Sequence, residues 1–138
     1  MAKITEENRK AAEYWLNSAH KRLKAARLSV ELKSSETVLD RSFFAAFDTA
    51  RALLLTIGRD SKDHDVVLSR FIEYFVETGE VPDKMGGILA DLTDLQYRAL
   101  FEDYFEISME DAVVKMNDAK EFAAIATEAV NRILEDTG

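Results

Sequence analysis

The chain has 138 residues, the length of one domain, and 47% of them are apolar, which excludes a disordered polymer. It contains no cysteine, so disulfides, thiol nucleophiles, zinc–thiolate centres and iron–sulfur clusters are excluded. The formal charge of −8 is unevenly spread: residues 9–33 hold seven bases against two acids, and residues 34–138 hold ten against 22. Such an acidic body repels nucleic acid, because phosphate binding depends on Lys and Arg displacing counterions. The basic first segment fits a solvated helix face, a phosphate-facing stripe or a docking surface for an acidic partner. No apolar run approaches the roughly 18 residues of a membrane span. The start, MAKITEENRK, lacks an apolar signal-peptide core, and the expected location is cytoplasmic.

Ala12, Leu16, Ala19, Leu23, Ala26 and Val30 recur at steps of three and four, which predicts a helix over about 5–33. Ser34-Ser35-Glu36-Thr37 breaks it, with Thr37 the expected N-cap of the next helix. That second helix, about 37–57, is apolar over more than one face, from Phe43 through Phe47 to Leu54 and Ile57, and so should be central. Gly58 is its expected left-handed stop. A third helix, about 63–78, buries Val67, Phe71, Tyr74 and Phe75 and ends at Gly79. A fourth, about 84–104, carries Met85, Ile88, Leu89, Leu92, Leu95 and Leu100, with Gly86 and Gly87 expected to admit a neighbouring helix. Ser108, with Asp111 three residues on, caps a fifth helix running to about 135. No alternating β-branched stretch survives this reading. The expectation is an all-α, up-and-down bundle of four or five helices forming one domain over residues 1–138.

The chemistry in this pattern is sparse. A di-iron carboxylate bundle needs Glu-x-x-His on facing helices, but Asn17 precedes His20 and Ser61 precedes His64 at that spacing. Asp60, Asp63, His64 and Asp65 crowd one loop, where helix capping accounts for them better than a metal. There is no Gly-rich phosphate loop and no nucleophile elbow. No metal or cofactor is called for. Asp48 and Arg51 are three apart on the second helix and suggest an ion pair or an interface contact. Arg98 and Glu102 share a helix face, with Asp103 and Tyr104 at the helix exit.

Taken in order, these pieces resemble the HEPN domain superfamily, in its small standalone bacterial and archaeal branch. The helix from Arg41 to Leu55 resembles that family's aromatic–aromatic–Ala–x–Phe–x–x–Ala–x–Ala–Leu–Leu helix, with Phe43 and Phe44 where tyrosines are common. Gly58 to Val66, with Lys62 and His64, resembles its Gly–x–x–x–Lys–x–His turn, and Phe71 to Gly79 its Phe-rich third helix. Arg98 to Tyr104 resembles its arginine followed by an Asp-Tyr pair, and Ser108 to Ala112 the entry to its last helix. The resemblance implies a helical homodimer. It also implies a metal-independent ribonuclease of toxin–antitoxin type, paired with a nucleotidyltransferase-like protein, in which an arginine stabilises phosphate charge and a histidine a few residues later moves a proton.

The sequence departs from that signature at the decisive position. Arg98 is followed by Asp103-Tyr104 and not by histidine. A carboxylate beside phosphate repels it unless its pKa is raised. Arg59 and His64 repeat the spacing, but in the turn between the second and third helices. The expectation is therefore a non-catalytic binding or interaction module for a nucleic acid, a nucleotide or a protein partner. The candidate ligand-binding residues are Arg98, Tyr104, Arg51, Lys62 and His64. The alternative is a ribonuclease using Arg98 with Asp103 or His64, and with Tyr104 orienting the phosphate.

Overall fold

A computed structural model describes residues 3–137, and its helices are α1 (Glu6–Glu31), α2 (Ser35–Leu55), α3 (His64–Phe71), α4 (Lys84–Phe101) and α5 (Met109–Thr137). No strand occurs among the described residues. The Thr5 hydroxyl accepts from the Asn8 amide at 3.0 Å and starts α1. Its buried seam is made of the small residues Ala12, Ala19 and Ala26, while Leu16, Leu23 and Val30 are partly buried beside them. Small residues let the backbones of α1 and α2 approach along their length. Lys33, at φ 59°, turns the chain out of α1. Thr37 does not cap α2: the helix already begins at Ser35, with Ser34 in the cap position and its hydroxyl 2.7 Å from that of Thr37. The two hydroxyls bond each other, so neither reaches an orphan amide.

α2 is the centre of the bundle and packs on α1, α3, α4 and α5. Its breadth of apolar residues is the cause: Leu39, Phe43, Ala46, Ala50, Leu53 and Leu54 are all fully buried. Gly58 adopts φ +69° after α2, as its lack of a Cβ allows. The Asp63 carboxylate then accepts from the amides of Asp65 and Val66 at 2.9 and 3.1 Å and caps α3. The third helix is not a uniform α-helix to residue 78. After Phe71 it widens into a π-helical turn over Ile72–Val76. Phe71 and Phe75 both remain buried, with Phe71 also against Phe122 of α5 at 5.2 Å between ring centres. Gly86 faces Ile72 and Val76 of this turn, but an added Cβ would lie at an ordinary 3.6 Å. Gly87 has open space around it, so neither glycine is required by close helix approach.

α4 ends at Phe101 rather than 104, since Glu102 is extended and Tyr104 has φ +60°. Ser108 accepts from the Asp111 amide at 3.0 Å and opens α5 as its spacing indicated. The Arg9 guanidinium donates to the Leu134 carbonyl at 3.2 Å, which places the start of α1 beside the end of α5 and makes the two antiparallel.

Candidate functional site

Arg51 does not pair with Asp48. Its Nε and Nη2 donate to the two oxygens of Asp60, each at 2.9 Å, in a fork that leaves both side chains largely buried. Its guanidinium lies 4.2 Å from the Trp15 ring centre. This cluster joins α1, α2 and the loop before α3. The spacing of three suggested Asp48, but a bidentate partner in the loop satisfies the planar fork better than a single neighbour along the helix.

Asp48 turns toward α1, where the Ser18 hydroxyl donates to it at 2.9 Å and Arg22 Nε stands at 3.7 Å. Burial raises its pKa, opposed by the Ser18 hydrogen bond and the charges of Arg22 and Arg51. Arg51 and Asp48 are therefore structural residues that tie α1 to α2.

His64 opens α3 and is half-buried among Phe43, Phe44 and Phe47, with ring centres 5.0, 6.0 and 4.6 Å away. One edge lines an open groove of about 400 Å³ shared with Asp94, Tyr97 and Phe101 of α4. Arg98 is not part of that lining. It projects beside carboxylates of its own helix region: Glu102 accepts from Nε at 3.2 Å, and Asp94 lies 3.9 Å from Nη1. Its guanidinium is 5.8 Å from the Phe105 ring centre. Asp103 and Tyr104 follow the helix, fully open to solvent, with Tyr104 98% exposed. Lys62 is exposed in the α2–α3 loop.

Arg51 sits in a largely buried clamp, His64 in an aromatic groove, and Arg98 with Tyr104 toward the α4 exit. The groove and Arg98 adjoin: Asp94, which lines the groove with His64, lies 3.9 Å from Arg98 Nη1. As an exposed guanidinium already paired to two carboxylates, Arg98 meets an incoming phosphate only by exchanging partners.

The sequence reading missed a patch. Tyr97, Leu100 and Phe101 are 63, 62 and 68% exposed, and the rings of Tyr97 and Phe101 meet tilted at 45°, 4.8 Å between centres. Leu100, one of the apolar residues of this helix, is on this surface. The signal was present: Tyr97 and Phe101 are four apart and out of phase with the buried Met85, Leu89, Leu92 and Gln96. Gln96 is held inward by its amide, which donates to Asp40 at 2.9 Å.

The fold and these features define an all-helical bundle with an arginine and an exposed aromatic surface at one helix exit. Residues 12–134 match the HEPN domain, and the chain belongs to that family. A Thermotoga maritima protein named "UPF0332 protein" is 26% identical over 130 residues, covering 94% of this chain and 96% of its own. An Archaeoglobus fulgidus protein of the same name is 30% identical over 85% of this chain and 93% of its own. A Methanocaldococcus jannaschii protein named "Putative toxin MJ0605" is 30% identical over 71% of this chain and 73% of its own.

Proposed function

We propose that this protein is a non-catalytic HEPN-fold module that works as a homodimer. The exposed α4 patch forms the contact between copies, and Arg98 and Tyr104 beside it receive a phosphate-bearing ligand or a protein partner. The observation that carries this reading is that the ion-pair partners of Arg98 are both carboxylates, Asp94 and Glu102. Acid–base cleavage of RNA needs a proton carrier within hydrogen-bond reach of the phosphate that the arginine binds, and no histidine follows Arg98 at the helix exit. Carboxylates close to the scissile phosphate would oppose its approach.

The patch supports the dimer. A contacting aromatic pair with an adjacent leucine at the end of one helix is an apolar surface that a second copy can cover by two-fold symmetry. Such pairing would bring two α4 exits near one another and could place two Arg98 side chains along one cleft. Sedimentation equilibrium tests it: the wild type is expected to dimerise, and Tyr97→Ser with Phe101→Ser to shift to monomer with unchanged helicity. A wild type that remains monomeric at all accessible concentrations would refute the dimer.

The second reading is a metal-independent, toxin-like ribonuclease using Arg98 with Asp103 or His64. The toxin name of the Methanocaldococcus jannaschii relative favours it. It requires His64 or Asp103, from the same chain or from the partner copy, to come within hydrogen-bond reach of the phosphate that Arg98 binds. A nucleotidyltransferase-like partner fits either reading.

A further inference from the structure

The groove between α1 and α5 gathers positive charge that none of the preceding sites uses. It has a volume of about 370 Å³ and is lined by Lys24 and Arg27 of α1, Lys120 of α5 and, at its edge, His20. No carboxylate lines it. Lys24, Arg27 and Lys120 make no ion pair among the described residues, as is also true of Lys10, Lys21, Arg59 and Lys62. What sets the three apart is that they border one concavity. Like charges around one concavity favour an anion there.

The groove also has a floor and ends. Leu23 and Met116 are half-buried between the cations and offer an apolar surface, and Asn117 adds an amide that can both donate and accept. His20, Lys24 and Arg27 lie on one α1 face, and the span from 20 to 27 is about 10 Å along the helix. Glu13 and Glu31 occupy the same face on either side. Because α1 and α5 are antiparallel, Glu31 lies at the same end of the bundle as Glu110 and Asp111, which open α5. Acids therefore flank the cations along this face, while Lys10 and Lys21 extend positive charge on the neighbouring face of α1. A groove of about 370 Å³ matches a compact anion in size.

We infer that the α1–α5 groove is a second binding site, for a small phosphorylated molecule carrying two or three negative charges. Arg27 supplies a planar fork for phosphate oxygens, and the two lysines add point charges. The volume is that of a small-molecule site. The site is independent of Arg98 and of the α4 patch, so it stands or falls separately from the dimer.

Calorimetric titration with pyrophosphate and with ADP tests it, using the full chain and its variants Lys24→Gln, Arg27→Gln and Lys120→Gln. Saturable binding of one ligand per chain is expected, weakened about tenfold by each substitution, and unchanged in Arg98→Ala. Amide chemical-shift changes confined to residues 20–27 and 116–120 would locate it in the wild type without any variant. Equal affinity for the two probes would mean that the phosphates alone are recognised, and tighter ADP binding would mean that the apolar floor contributes. No saturable binding of either probe, or binding unaltered when all three cations are removed from a chain of unchanged helicity, would overturn the proposal. So would tighter binding of a single-stranded RNA of about 20 nucleotides with a salt dependence above about three phosphates, since the groove would then be part of a longer track.

Discussion

Arg51 lies against Trp15 with both guanidinium contacts satisfied by Asp60, and this single side chain holds three segments together. Removing it leaves the Asp60 carboxylate largely buried and unpaired. Arg51→Ala is expected to lower stability by about 3 kcal/mol, read from urea unfolding, whereas Lys62→Ala in the neighbouring loop should be neutral. Asp48 behaves differently. Burial raises its pKa above the ordinary 3.8 despite Ser18, Arg22 and Arg51. The folded chain therefore holds this proton more tightly than the unfolded chain does. Its contribution favours folding below 3.8 and declines as pH rises through the raised value. Asp48→Asn lacks that decline. The stability of the variant relative to the wild type should climb with pH through the acid range and then level off. A difference that stays flat from about pH 3 to 7 would contradict the buried carboxyl.

Element boundaries followed from local chemistry. The alternating Ala and larger residues of α1, the broad apolar surface of α2, the glycine after it and the Ser108 cap are all one-segment signals, and each was readable from the sequence. Ser108→Ala should cost about 1 kcal/mol, measured by thermal unfolding, because the Asp111 amide loses its acceptor. Phe43→Ala, at the centre of α2, should cost about 4 kcal/mol. What the sequence did not disclose depends on elements distant in the chain. The choice of Asp60 over Asp48 by Arg51 is tertiary. So is the π-helical turn over Ile72–Val76. Leu100 is apolar and in phase with the buried Leu89 and Gln96, yet it lies in the last turn of α4 and is exposed. The candidate site was legible as a set of residues and not as an arrangement: spacing along one helix says nothing about which groove His64 enters.

At the scale of the whole molecule, the fold separates positive charge into distinct uses. Arg51 is structural, Arg98 is balanced by local carboxylates at the α4 exit, and the α1–α5 groove keeps three cations unpaired. The family's fold is retained, and Arg98 is followed at the α4 exit by Asp103 and Tyr104, both exposed, with no histidine. The most direct test incubates the purified chain with single-stranded RNA, without added metal, beside Arg98→Ala. The account predicts no cleavage by the wild type above the background of the variant. Specific cleavage that disappears in Arg98→Ala would contradict it.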